Sequence, residues 1–166
     1  FGKGENLIFQ SQTKKKDIFL AIDPFISGGL KLKKKIETLK ISNIFFSNVT
    51  FSQFFKVVGD LNFKKIFILF PDPWPKKRHK KRRLINEEFV KSLDKITLKY
   101  SEILIATDHE DYSNQILKSF SKQNFFKLVV KTSDNGIFED YKIYPTKYFR
   151  KAKRENRKIY LFIYQK

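Results

Sequence analysis

The sequence predicts an α/β fold in which a mostly parallel sheet is covered by helices on both faces. Two observations carry this. Short runs rich in Ile, Leu, Val and Phe recur at residues 17–23, 44–47, 65–70, 102–107, 126–131 and 158–164, and helix-length amphipathic stretches at 24–40, 50–61 and 85–98 separate the first four. Continuous apolar strands alternating with helices belong to parallel sheets buried on both sides.

The stretch from Ile85 shows the pattern in detail. Ile85, Phe89, Leu93 and Ile96 recur on one face, and Glu87, Glu88, Lys91 and Asp94 take the other. Asn86 is placed to cap its start, and the two glutamates complement the dipole of the first turn. Residues 133–156 are polar, carry the turn chemistry of Asp134-Asn135-Gly136 and show no clear period, which predicts an extended loop before the last strand.

At 166 residues, 41% of them hydrophobic and nineteen of them Phe, the chain holds enough material for the core of a single domain, expected to span 1–166. Lys and Arg number 35 against 17 acids, a formal charge of +18, and self-repulsion of that size points to a polyanionic partner, RNA or DNA first. Abundant Lys, Ile, Phe and Asn fits an AT-rich genome, which accounts for part of the Lys excess. No run approaches the ~18 apolar residues of a spanning helix, so no membrane role is expected. With no Cys and only two His, no metal site is expected and a reducing, cytoplasmic setting is compatible. The absence of Met and the Phe at position 1 predict a fragment that begins inside its parent chain.

Three constellations carry chemistry. Phe1-Gly2-Lys3-Gly4 precedes a helix-like stretch, 5–12, and then a strand ending in Asp23. Glycines allow tight turning and close approach to a ligand, and an acid ending the next strand can accept from ribose hydroxyls, so the pair suggests a nucleoside site; a turn glycine pair and a strand-end turn acid are the plainer alternative. Next, the strand at 65–70 runs into Pro71-Asp72-Pro73-Trp74-Pro75, which puts an acid at the carboxyl edge of a sheet, where ligands of such sheets bind. Flanking prolines stiffen the turn. Last, in Lys76-Lys77-Arg78-His79-Lys80-Lys81-Arg82-Arg83 every residue but His79 is basic, a run suited to RNA phosphates.

PDPWPKKRHKKRR at Pro71 to Arg83 resembles the signature of the tRNA (guanine-N7-)-methyltransferase family. FGKG at Phe1, the acid at Asp23, ATD at Ala106 to Asp108 and TKY at Thr146 to Tyr148 follow in family-like order, so the resemblance spans nearly the whole chain. It implies a doubly wound, Rossmann-like methyltransferase sheet with an antiparallel last strand and a first strand largely missing. It also implies dependence on S-adenosylmethionine and methylation of the guanine at position 46 of the tRNA variable loop. Carried over residue by residue, Gly2, Gly4, Asp23 and Asn48 would lie on the cofactor, and Asp72 at the methyl-transfer centre, touching cofactor and guanine. Lys76, Asp108, Thr146 and Lys147 would contact the substrate, and Lys76, Lys77, Arg78, Lys80, Lys81, Arg82 and Arg83 the tRNA. Asp108 could instead cap the helix starting near His109.

Three residues depart from the family pattern. Asp23 stands where Glu is common, Asn48 replaces an Asp that resembles an acceptor for the adenine amino group, and Phe149 replaces the Glu expected after Tyr148. Asn48 and Phe149 keep a second reading open, a weakened or inactive tRNA-binding protein on the same scaffold. Monomer and homodimer are both compatible with the sequence.

Overall fold

Helix and strand alternate along the chain as the apolar periodicity predicts. A computed structural model describes residues 1–133 and 137–166. In chain order the elements are α1 (Glu5–Thr13), β1 (Phe19–Ile22), α2 (Ile26–Thr38), β2 (Ile44–Ser47), α3 (Phe51–Val57), β3 (Phe63–Leu69) and a 3-10 helix (Lys77–Arg82). Then come α4 (Glu87–Lys95), β4 (Thr97–Thr107), α5 (Glu110–Ser121), β5 (Lys127–Thr132), α6 (Ile137–Asp140), α7 (Lys147–Arg154) and β6 (Tyr160–Gln165). Two compact units result, Phe1–Gly59 with Ile137–Lys147, and Asp60–Gly136 with Tyr148–Lys166.

In the first unit β1 and β2 pair in parallel, from Phe19 opposite Ile44 to Ile22 opposite Ser47. Parallel pairing demands a crossover, which α2 supplies. Buried Ile8, Leu32 and Ile44 form its core, with Phe1, Phe19 and Phe46 packed around them. Asn6 and Gln10 of α1 are buried polar residues whose amides are spent on the segment after α6: Tyr144 N–H donates to Asn6 Oδ1 at 3.0 Å, and Gln10 Nε2 donates to the Lys142 carbonyl. Thr50 and Gln53 close a reciprocal capping box at the start of α3.

The second unit holds a four-stranded sheet in the order β3-β4-β6-β5. β3 and β4 run parallel, with Ile66 opposite Ile103, and β6 is antiparallel to both its neighbours, β4 and β5. The last strand is therefore antiparallel, as expected, and the parallel strands fall in two ladders. Ile103 to Ala106 and Leu161 to Tyr164 are almost wholly buried and make the centre of the core. α4 covers it with Phe89, Val90 and Leu93, and its Asn86 cap accepts from Phe89 N–H at 3.0 Å, as its sequence predicts.

The loop expected over 133–156 is a correction. Asp134, Asn135 and Gly136 lie outside the described residues, but α6 and α7 occupy much of the rest. α7 buries only Phe149 and Ala152. A two-residue apolar stripe in an eight-residue helix leaves no period for the sequence to show. Among the described residues, no helix is long and apolar enough to cross a membrane.

Candidate active site and RNA-binding surface

Asp23 follows β1, and its carboxylate gathers the glycine loop of the first unit. Oδ2 accepts from Gly2 N–H at 2.7 Å, while Oδ1 accepts from Phe25 N–H at 2.9 Å. A carboxylate offers about four acceptor positions, of which these two donors leave roughly two.

Gly2 and Gly4 both sit at positive φ, 55° and 72°, where glycine is favoured. A Cβ on Gly4 would fall 2.5 Å from Leu32 Cδ1, so that position serves packing, whereas a Cβ on Gly2 would meet nothing within 4 Å. The space over half-buried Gly2 is clear and lies next to a charged acceptor, and these residues fit a nucleoside cofactor. α2 approaches the loop closely: a Cβ on Gly28 would lie 2.3 Å from the Gly2 carbonyl oxygen. Asn48 sits beyond β2 and donates through Nδ2 to the carbonyls of Asp23 and Phe25, at 3.0 and 3.2 Å.

In the second unit the end of β3 turns out of the sheet at Phe70, whose N–H still donates to Ala106 at 2.8 Å. Phe70 and Trp74 lie at φ 54° and 40°, a left-handed conformation that costs side-chain-bearing residues energy and that concentrates at functional positions. Between them Asp72 is exposed. The Phe70 ring stacks on exposed Tyr148 at a centroid distance of 6.4 Å.

The basic run forms a 3-10 helix, and its three-residue repeat sorts the cations. One row faces Trp74: Arg82 lies over the indole at 5.0 Å and His79 meets its edge at 5.8 Å. A second row faces Asp111, with Lys80 at 2.7 Å and Arg83 at 2.7 Å. Lys80 first, then Arg83, hold the Asp111 carboxyl below its ordinary range. Arg78 and Lys81 form the third row and are exposed, as are Lys76, Lys77 and Arg82. Arg83 differs from the rest of the run in being buried, 2% exposed. Its guanidinium donates to Pro73 O at 2.7 Å and Gln115 Oε1 at 2.8 Å as well as to Asp111, and lies over the Tyr112 ring. Burial in turn pushes the Tyr112 hydroxyl up to about 12.

Asp108 does not cap α5. His109 does, accepting from Tyr112 N–H through Nδ1, while Asp108 pairs with Arg157. Thr146 is half-buried just ahead of α7, and Lys147 N–H donates to Glu5 Oε2 at 2.6 Å. Phe149 is a packed residue of α7, with Lys153 over its ring. Opposite that buried side Arg150, Lys151 and Arg154 are exposed, a basic face that an extended loop over 133–156 would not have formed. In all, Gly2, Gly4, Asp23 and Asn48 are brought together in the first unit. Asp72, the basic run and Asp108 belong to the second.

The family described as "Putative methyltransferase" matches residues 1–162. A Wolbachia pipientis tRNA (guanine-N(7)-)-methyltransferase is 38% identical over 98% of this chain and 70% of its own length. The enzyme of the same description from a Jannaschia species is 32% identical over all of this chain and again 70% of its own. A Streptococcus mutans "putative methyltransferase" in complex with SAH shares the fold at a TM-score of 0.63, with 14% identity, covering 99% of this chain and 83% of the other. This chain belongs to the tRNA (guanine-N(7)-)-methyltransferase family.

Proposed function

We propose that this chain transfers a methyl group from S-adenosylmethionine to N7 of a guanine in tRNA, at position 46 as the motif resemblance implies. The observation that carries the reading is Asp72, an exposed carboxylate in a turn bracketed by two left-handed residues and braced from behind by Arg83. The cofactor supplies an activated methyl on a sulfonium. Gly2, through the clear space beside it, and Asp23, through its remaining acceptor positions, are the groups suited to hold the nucleoside part.

Guanine N7 bears an in-plane lone pair and no proton, so the chain needs no general base. What it needs is orientation, which can supply ~7 to 11 kcal/mol of a barrier. As N7 becomes alkylated the purine gains positive charge and its N1–H and amino group become stronger donors. A carboxylate accepting from that edge is therefore stabilised more in the transition state than before it. Asp72 has the charge and exposure for this.

For tRNA capture, Lys76, Lys77, Arg78, Lys81 and Arg82 present exposed cations, and the outer face of α7 adds Arg150, Lys151 and Arg154. Arg83 braces the turn through Pro73, and Lys80 pairs with Asp111. The test is incubation with methyl-labelled S-adenosylmethionine and tRNA, ribosomal RNA or DNA, followed by nucleoside mass analysis. 7-Methylguanosine in tRNA alone is the expected result. Label in another nucleic acid overturns the substrate, and binding of cofactor and tRNA without product overturns the activity in favour of a tRNA-binding protein.

A further inference from the structure

Asn48 stands where an acid resembling an adenine acceptor is expected, yet the fold uses it in the opposite sense. Its Nδ2 donates to two backbone carbonyls, Asp23 O at 3.0 Å and Phe25 O at 3.2 Å. Its Oδ1 is turned onto α2, where a Cβ on Gly29 would lie only 2.1 Å from it. Reversing the amide would point Oδ1 at both carbonyls. The turn spanned by these bonds is the one whose Asp23 carboxylate receives Gly2 N–H and Phe25 N–H.

We propose that Asn48 is a positioning residue for the cofactor, acting as a donor that clamps the Asp23 turn. Gly29 is the cleared position that admits it. The inference rests on the cofactor reading above. A carboxylate at 48 has the same shape but nothing to donate, and would set a negative charge against two carbonyl oxygens; the Phe25 carbonyl would keep the Gly28 and Gly29 N–H groups, but the Asp23 carbonyl would lose its side-chain donor. Restoring the acid at this position therefore harms the site. An acceptor role for Asn48 demands the reverse.

Titration of the purified protein with S-adenosylhomocysteine separates the two. The clamp predicts that Asn48→Asp weakens binding by about tenfold or more and Asn48→Ala by less, in the order wild type, Asn48→Ala, Asn48→Asp. The KM for S-adenosylmethionine should rise in step, while kcat and tRNA affinity stay within about twofold, a split that general loosening of the fold does not produce. Asn48→Asp binding as tightly as wild type, or better than Asn48→Ala, overturns the proposal. Should Asn48→Asp not fold, Gly29→Ala gives a second test. Alone it should weaken binding by displacing Asn48, and combined with Asn48→Ala it should add nothing. Additive losses overturn the clamp. Wild-type protein that binds no cofactor overturns the functional reading itself, a result distinct from either.

Discussion

Arg83 donates through Nε to the carbonyl oxygen of Pro73, 2.7 Å away, and so ties the buried end of the basic run to the turn that carries Asp72. The other arms of the fork reach Gln115 and Asp111, and Gln115 Nε2 continues to the Ile85 carbonyl. A planar guanidinium satisfies three acceptors in fixed directions. A lysine ammonium in the same space cannot.

Arg83→Lys should accordingly cost about 2 kcal/mol of stability, since hydrogen bonds from a buried charge are removed and their acceptors left short. Denaturant unfolding measures this. Methylation should fall with it, while the salt dependence of tRNA binding stays as in wild type, because a side chain 2% exposed releases no counterions. A shallower salt slope would move Arg83 to the RNA.

The exposed cations behave in the opposite way. Replacing Arg78 and Lys81 with Gln should leave unfolding within about 0.5 kcal/mol of wild type, as surface changes do. For every phosphate that the variant no longer neutralises, the plot of log affinity against log salt should flatten by about 0.7 to 0.9. Lys151→Gln with Arg154→Gln tests the α7 face by the same plot, and an unchanged slope there would remove α7 from the binding surface. The Lys151–Glu155 pair at 3.9 Å is exposed and too weak to confound the stability comparison.

Asp72→Asn keeps the shape of the turn and removes its charge. tRNA affinity should hold within a few-fold and kcat should drop about 100-fold or more, the loss typical of one electrostatic group acting in the transition state. Single-turnover methylation on saturating tRNA isolates this step. Turnover at the wild-type rate would exclude a catalytic role for Asp72.

Much of this arrangement is legible in the sequence itself. β2 falls on the predicted residues and α4 starts at the predicted cap, because both carry their period in full view. β4 begins at Thr97, earlier than its apolar run, since Lys99 and Tyr100 dilute the pattern and Tyr100 takes a left-handed conformation. Sequence could not divide the basic run. Which of eight neighbouring residues turns inward depends on a 3-10 repeat and on Asp111, about thirty positions away. Nor could it say which end of the Asn48 amide is used, because one letter stands for both a donor and an acceptor.

The Asp111 carboxyl is held low by Lys80 and Arg83, and this fixes a pH dependence. A carboxyl whose folded value is below its unfolded value of about 3.9 contributes stability above that pH and loses it as the pH falls through the folded value. Wild type should therefore exceed Asp111→Asn in unfolding midpoint at pH 7, with the gap closing towards pH 3. Other carboxyls titrate in both proteins and cancel in the difference. A gap independent of pH would mean that the ion pairs add nothing beyond the hydrogen bonds an amide can keep.

Gly28→Ala sets two effects of known sign against each other. Within a helix, Ala is favoured over Gly by about 1 kcal/mol. Against this, the new Cβ would stand 2.3 Å from the Gly2 carbonyl oxygen and 2.8 Å from Phe25 Cδ1. The ring can turn aside, but the carbonyl is backbone and its loop is held by the Gly2 and Gly4 bonds. Overpacking of this kind costs about 1 to 3 kcal/mol. The steric cost should therefore equal or exceed the helical gain, giving a melting temperature no higher than wild type. The displaced Gly2 loop should also lower affinity for S-adenosylhomocysteine more than the change in stability alone would suggest. A variant that melts higher and binds the cofactor as well as wild type would show that α2 does not need its close approach to Gly2.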